Sequence, residues 1–140
     1  MRQEHISTSV EATEAIAIEL ARTLRGGECI ALEGKLGAGK TQFVRGLLKG
    51  LGGETRSVSS PTFVLLNVYE SGRLKLFHLD AYRVSGPEDF DSIGFSELLE
   101  QGGVVVIEWA SRVASALPNN RISMTIEHVD DHTRRIVIDR

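Results

Sequence analysis

This chain of 140 residues has too few cysteines for an internal disulfide and has no basic tract. Cys29 is its only cysteine, so no internal disulfide can form. Because Cys29 stands in an apolar segment, we expect a small core residue and not a reactive thiol. The formal net charge is −3, and no run of basic residues occurs. A protein that holds nucleic acid by itself usually carries a basic face, so this composition argues against direct nucleic-acid binding as the main activity.

Long apolar segments are missing as well. No uninterrupted apolar stretch approaches the roughly 20 residues that a membrane-spanning helix needs. The first residues, 1–9, are mostly polar and lack the apolar core of a secretion signal. No repeat, linker or low-complexity segment interrupts the chain, and its length suits one domain over residues 1–140. We therefore expect a single cytoplasmic domain without membrane contact.

The most informative feature that is present is a glycine-rich segment from Gly34 to Thr41. Its sequence, GKLGAGKT, matches the phosphate-binding pattern G-x-x-x-x-G-K-[ST] at every defined position. The apolar run at 29–32 predicts a buried strand before it, and 41–51 predicts a helix after it. This order of strand, loop and helix aims backbone N–H groups and the positive end of a helix dipole at phosphate oxygens. The alternative is an ordinary glycine-rich turn that caps a helix.

The residues of this loop have separate expected tasks in binding a nucleotide. We expect Lys40 to place its charge on the β- and γ-phosphates and Thr41 to give its hydroxyl to Mg²⁺. The chain has no N-K-x-D segment, the motif that reads guanine, so ATP is the expected nucleotide. The predicted nucleotide-binding residues are Gly34, Leu36, Gly37, Ala38, Gly39, Lys40 and Thr41.

Two acidic residues at strand ends are candidates for the chemistry. Glu108 directly follows the apolar run 104–107, so its side chain should emerge at the ligand edge of the sheet and meet Mg²⁺ there. Asp80 closes an alternating strand and could hold Mg²⁺-bound water or act as a base toward the attacking water. The alternatives are a local salt bridge for Glu108 and an Asx turn before Tyr82 for Asp80.

Two other polar residues lie close to these acids in the predicted scheme. His78 shares a strand face with Asp80, although a lone histidine on an apolar strand is more typical of a structural residue. Thr62 follows a proline, and its hydroxyl or carbonyl could sense Mg²⁺ or the γ-phosphate as a switch segment does; a strand-entry turn is the alternative. The predicted catalytic residues are Lys40, Thr62, Asp80 and Glu108, and the predicted metal ligands are Thr41 and Glu108.

The remaining patterns predict an α/β three-layer fold of the P-loop NTPase type. It contains a mixed sheet in which antiparallel hairpin strands flank a parallel core. The segment Thr8 to Glu11 matches a capping box that opens the first helix. Further helices are predicted after the loop, from Pro87 onward with an intermittent apolar pattern, and at 112–117. The predicted strands run over about 28–33, 63–69, 73–79, 104–107, 121–128 and 133–139.

The order of four motifs resembles the bacterial TsaE (YjeE) family over essentially the whole chain. The motifs are the loop Gly34 to Thr41, Ser60-Pro61-Thr62-Phe63, His78-Leu79-Asp80-Ala81-Tyr82-Arg83, and a strand ending in Glu108-Trp109. Together they are far more specific than the phosphate loop alone. The resemblance implies a small ATPase of tRNA threonylcarbamoyladenosine (t6A) biosynthesis.

The resemblance also implies partners and residue roles. Such a protein works on the TsaB–TsaD complex after TsaC makes threonylcarbamoyl-adenylate, and its ATP cycle resets that complex, so that tRNA is touched only indirectly. Thr41 and Glu108 are similar to the family's Mg²⁺ ligands, Asp80 to its functional aspartate, and Thr62 lies in its switch-like segment. Trp109 resembles the aromatic residue that follows the acid.

Two other functions stay open from the residues alone. A nucleoside or small-molecule kinase would share the loop, but it needs an acceptor pocket and an arginine-bearing lid for which 140 residues leave little room. A nucleotide-gated adaptor would depend on ATP binding and not on hydrolysis.

Overall fold

The computed structural model describes residues 1–35, 38–56, 58, 66–84, 86–92 and 94–140. Within these residues, helices and strands alternate along much of the chain, as the apolar patterns predict. The helices are α1 (Val10–Arg22), α2 (Lys40–Gly50), α3 (Pro87–Ser92) and α4 (Phe95–Glu100), followed by a 3₁₀ segment (Ala110–Ala116). The strands are β1 (Arg2–Ser7), β2 (Cys29–Glu33), β3 (Leu66–Tyr69), β4 (Leu76–Asp80), β5 (Val104–Glu108), β6 (Ile122–His128) and β7 (Arg134–Asp139).

The described strands form one mixed sheet in the order β1-β7-β6-β2-β5-β4-β3. Its centre is parallel, because β2 pairs in parallel with both β5 and β6, and β4 pairs in parallel with β5. The outer pairs β3–β4, β6–β7 and β1–β7 are antiparallel. The predicted mixed sheet with a parallel core and flanking hairpins is therefore confirmed, and the carboxyl ends of β2, β5 and β4 meet at one edge.

Strand β1 is an element that the sequence patterns did not predict. Its sequence, Arg-Gln-Glu-His-Ile-Ser, does not alternate between polar and apolar residues, and most of these residues are exposed. The strand exists because it pairs with β7 at the other end of the chain, with Arg2 opposite Asp139 and Ser7 opposite Arg134. Such long-range pairing on a sheet edge leaves little trace in local sequence.

Helices cover both faces of the sheet and give the three layers that the sequence predicts. On one face, α1 and α2 pack on a core that includes Ile30 and Val106. On the other, α3, α4 and the 3₁₀ segment pack on a core that includes Ala31 and Phe77. Helices α1 and α2 approach closely at Gly46, where an added Cβ would lie 2.6 Å from the Cβ of Ala17.

The helix boundaries correct the sequence predictions in two places. The cap of α1 is Ser9 and not Thr8, because the Ser9 side chain accepts a hydrogen bond from the backbone N–H of Ala12 at 3.0 Å. The intermittent pattern after Pro87 reflects two short helices, which meet at Gly94 with φ of +79°. Across the described residues, no helix is both long and apolar enough to cross a membrane.

Cys29 is a buried core residue, as expected, and is 3% exposed. Burial raises the pKa of its thiol to about 12. An electrically neutral thiol behaves as a small apolar side chain, so Cys29 fits the apolar core that covers its face of the sheet.

Candidate functional site

The glycine-rich loop joins the carboxyl end of β2 to the first turn of α2. Gly34 needs to be glycine because an added Cβ would lie 2.9 Å from the carbonyl oxygen of Ile126. Gly39 precedes α2 with φ of +106°, a conformation that L side chains rarely adopt. Helix α2 then begins at Lys40, so the N–H groups of its first turn lack intrahelical partners. The predicted ligands Leu36 and Gly37 lie outside the described residues.

The ammonium group of Lys40 is buried at this helix start, and the side chain is 5% exposed. Its Nζ lies 3.6 Å from Oε1 of Glu108, which is an ion-pair distance, and it has no hydrogen-bond partner among the described residues. Burial lowers the pKa of Lys40, while the carboxylates of Glu108 and Asp80 act in the opposite direction. A buried cation with unused donors is suited to an anionic ligand.

The two predicted acids stand side by side at the carboxyl edge of the sheet. Asp80 and Glu108 are register partners, the last residues of the parallel strands β4 and β5, and each is 3% exposed. In β5, Glu108 also pairs with Leu32 of β2, which leads into the loop. The sheet therefore brings Lys40, Asp80 and Glu108 together, as the sequence predicts.

The Asx turn that was the alternative for Asp80 is present. Its Oδ1 accepts a hydrogen bond from the backbone N–H of Tyr82 at 2.8 Å. This bond fixes the orientation of the carboxylate at the end of β4, and Asp80 also interacts electrostatically with the Lys40 ammonium. The turn and a role at the site are thus compatible.

A contact between His78 and Glu108 is the feature that sequence reasoning missed. His78 is fully buried in β4, and its Nε2 is hydrogen-bonded to Oε2 of Glu108. The alternation of β4 already placed His78 on the same face as Asp80, which was the available signal. Its partner could not be read from sequence because Glu108 lies 30 positions further along the chain.

Aromatic residues cover the site beside Lys40. The Lys40 Nζ lies 4.0 Å from the centre of the Trp109 ring, and the Tyr82 ring lies 4.9 Å from Trp109. Trp109 has φ of +58°, which is uncommon for a bulky residue and turns the chain at the end of β5. The Ser111 N–H donates to the Glu33 carboxylate and ties this turn to β2.

A pocket of about 490 Å³ opens over the start of α2. Arg134 connects its wall to the loop, because its Nε donates to the carbonyl oxygen of Ala38 at 3.0 Å. Thr41 stands one position into α2 and lines the pocket. The lining residues come from the β1–α1 connection, α2, β5 and the β6–β7 hairpin; they are Thr8, Ser9, Val10, Thr13, Gly39, Lys40, Thr41, Gln42, Glu108, Asp131, His132 and Arg134.

The residues present fit a triphosphate with a bound magnesium ion. The buried Lys40 ammonium lacks a hydrogen-bond partner among the described residues and stands in the first turn of α2, whose N–H groups have no partners within the helix. No group of three or more His, Cys, Asp or Glu in the described ranges could hold a metal by itself. Mg²⁺ is commonly held by one or two protein oxygens together with substrate phosphates and water, which Thr41 and Glu108 could provide. Thr62 and its neighbours 60–63 lie outside the described residues.

Comparison with known proteins identifies relatives over nearly the whole chain. Residues 7–136 match the family model "Threonylcarbamoyl adenosine biosynthesis protein TsaE". The protein named tRNA threonylcarbamoyladenosine biosynthesis protein TsaE from Treponema pallidum is 43% identical over 133 residues, which cover 95% of this chain and 97% of the relative. The protein of the same name from Aquifex aeolicus is 42% identical over 139 residues, covering 99% and 96%.

A solved structure shows the same fold. The crystal structure of Bacillus subtilis YdiB is similar with a TM-score of 0.82 and 32% identity, covering 99% of this chain and 84% of that one. The likeness includes the described sheet and its helical layers, so the expected α/β fold of the P-loop NTPase type is confirmed. On the family match and these identities, this chain belongs to the TsaE family.

Proposed function

We propose that this protein is a Mg²⁺-dependent ATPase that acts in t6A modification of tRNA. The observation that carries the proposal is the buried Lys40 ammonium, which stands at the start of α2 beside Glu108 without a hydrogen-bond partner among the described residues. A buried donor without a hydrogen-bond partner calls for an explanation, and a bound anionic ligand is one that fits a helix start. The names of the relatives supply the pathway, t6A biosynthesis.

The proposed chemistry is hydrolysis of the γ-phosphate of ATP by in-line attack of water. Lys40 and the N–H groups of the loop and α2 hold the phosphates and stabilise the charge that develops on them. Thr41 and Glu108 hold Mg²⁺, which offsets phosphate charge when it is bound. The Asp80 carboxylate accepts a hydrogen bond from the Tyr82 N–H and ends β4 beside Glu108. It orients the attacking water or accepts its proton.

The proposed partner is the TsaB–TsaD complex, to which the family resemblance points. The chain would drive a change in that complex through its ATP cycle, and tRNA would be contacted only indirectly. The formal net charge of −3 and the absence of a basic run in the sequence agree with an indirect role.

The test combines nucleotide turnover with partner capture. Purified chain is incubated with γ-labelled ATP and Mg²⁺, alone and with the TsaB–TsaD complex, and the label is followed into inorganic phosphate. We expect the chain to release phosphate at a rate that the TsaB–TsaD complex changes. We also expect the immobilised chain to capture both TsaB and TsaD. Transfer of the label to a metabolite pool would favour a kinase. Unimpaired t6A formation in cells by a variant that binds but cannot hydrolyse ATP would favour a nucleotide-gated adaptor.

The variant for this test is Lys40→Met, which removes the charge and keeps much of the buried volume. Its matched control is Lys49→Met, because Lys49 lies on the same helix with an exposed side chain. Phosphate release should disappear in Lys40→Met and persist in the control. Equal activity in both variants would contradict the proposed role of the loop.

A further inference from the structure

The two oxygens of the Glu108 carboxylate have different neighbours. Oε2 is hydrogen-bonded to Nε2 of His78, while Oε1 lies 3.6 Å from the Lys40 ammonium. His78 and Glu108 come from adjacent parallel strands and lie on the sheet face that α2 covers. His78 therefore holds the carboxylate at one oxygen, while the other oxygen faces Lys40 at the start of α2.

The direction of this hydrogen bond follows from the chemistry of the two groups. Glu108 faces the Lys40 ammonium as a carboxylate, and a carboxylate only accepts hydrogen bonds. Nε2 of His78 must then carry the hydrogen and donate it. Nδ1 of His78 is buried and has no hydrogen-bond partner within the described residues, which suits a nitrogen without a hydrogen. The imidazole thus serves as a one-sided donor to Glu108.

We propose that His78 is a positioning residue that fixes which oxygen of Glu108 is available to Mg²⁺. By occupying Oε2, it leaves Oε1 directed at the loop, where Lys40 and Thr41 begin α2. Hydrogen bonds to a ligating carboxylate set its orientation, and removing them commonly costs about 10–100-fold in metal affinity or activity. This inference rests on the proposed function, because it requires that Glu108 meets Mg²⁺.

The experiment measures how ATP binding depends on Mg²⁺ in three variants. His78→Leu removes the donor, whereas His78→Gln keeps an N–H close to the position of Nε2. Phe77→Leu is the matched control, because Phe77 is the adjacent buried residue of β4 but packs in the core on the opposite face of the sheet. Thermal unfolding of each variant reports whether it is folded.

Mg²⁺ should increase the ATP affinity of the unaltered protein, and half of this increase is reached at a certain Mg²⁺ concentration. We expect His78→Leu to raise that concentration about 10-fold or more. ATP affinity in EDTA should stay unchanged, His78→Gln should recover most of the loss, and Phe77→Leu should keep the original requirement. An unchanged Mg²⁺ requirement in folded His78→Leu would overturn the inference. If the unaltered chain binds no Mg-ATP, the proposed function fails instead, and this result is visible before any variant is made.

A second measurement needs neither nucleotide nor metal and does not depend on whether His78→Leu folds. In ¹⁵N-histidine-labelled protein, we expect the His78 signal to show a hydrogen on Nε2, with a shift that changes in Glu108→Gln. The chain has four histidines, and the signal that is missing from the spectrum of His78→Gln belongs to His78. A hydrogen on Nδ1 and none on Nε2 would overturn the inference whatever the nucleotide assays show.

Discussion

The ammonium of Lys40 lies over the ring of Trp109, with 4.0 Å between Nζ and the ring centre. The same ammonium lies 3.6 Å from Oε1 of the Glu108 carboxylate. Attraction to the face of the indole and to the carboxylate together stabilises a buried cation. A ligand whose phosphate attracts the Lys40 ammonium must weaken its contact with Trp109 or its contact with Glu108.

The first prediction uses the indole as a reporter. Trp109 is the only tryptophan in the chain, so its fluorescence reports this site alone. ATP with Mg²⁺ should change the emission intensity, because Lys40 would redirect its charge from the ring to phosphate. A titration of fluorescence against Mg-ATP measures this, with Lys40→Met as the control that should show no saturable change. A saturable change of equal size in that variant would contradict the assignment.

The second prediction separates binding from turnover at Glu108. Glu108→Gln keeps the shape of the side chain and one oxygen that can accept a hydrogen bond from His78, but it removes the charge that would hold Mg²⁺. We expect the turnover rate to fall about 100-fold or more, with ATP affinity weakened by less than about 10-fold. Single-turnover hydrolysis and equilibrium binding measure the two quantities. A variant with full turnover would remove Glu108 from the proposed site.

The third prediction concerns stability without nucleotide. Lys40 and Glu108 are both almost fully buried, so removing either charge alone leaves the other without its partner. The single variants Lys40→Met and Glu108→Gln should each lower the free energy of unfolding. The double variant should lose less than their sum, with an interaction energy of about 0.5–3 kcal/mol. Urea denaturation of the four proteins gives this value, and strictly additive losses would show that the two charges do not interact.

The fourth prediction concerns the pH dependence that Cys29 contributes. Folding raises its thiol pKa from 9.0 to about 12, so the folded state favours the protonated form. The stabilisation is fully present below pH 9.0 and is lost as the pH rises toward about 12. The stability advantage of the unaltered chain over Cys29→Ala should therefore shrink between about pH 9 and about pH 11. An advantage that grows over this interval would contradict the direction of the shift.

The sequence predicts where Lys40, Asp80 and Glu108 lie in the fold, but it does not predict strand β1. Lys40, Asp80 and Glu108 come together because each follows or ends a strand with a clear apolar pattern, and such strands end at one edge. Strand β1 has no such pattern and depends on β7, about 130 positions away, for its existence. The contacts of His78 with Glu108 and of Arg134 with Ala38 also join distant positions, so only the fold could reveal them.

Calorimetric titration of the nucleotide-free protein with Mg-ATP tests the central claim most directly. We expect saturable binding near one ATP per chain in the unaltered protein and in Lys49→Met. In Lys40→Met, affinity should fall by about 100-fold or more, because a charge-assisted phosphate contact is lost without replacement. Equal affinity in Lys40→Met, or no heat of binding in the unaltered protein, would contradict ATP binding at this loop.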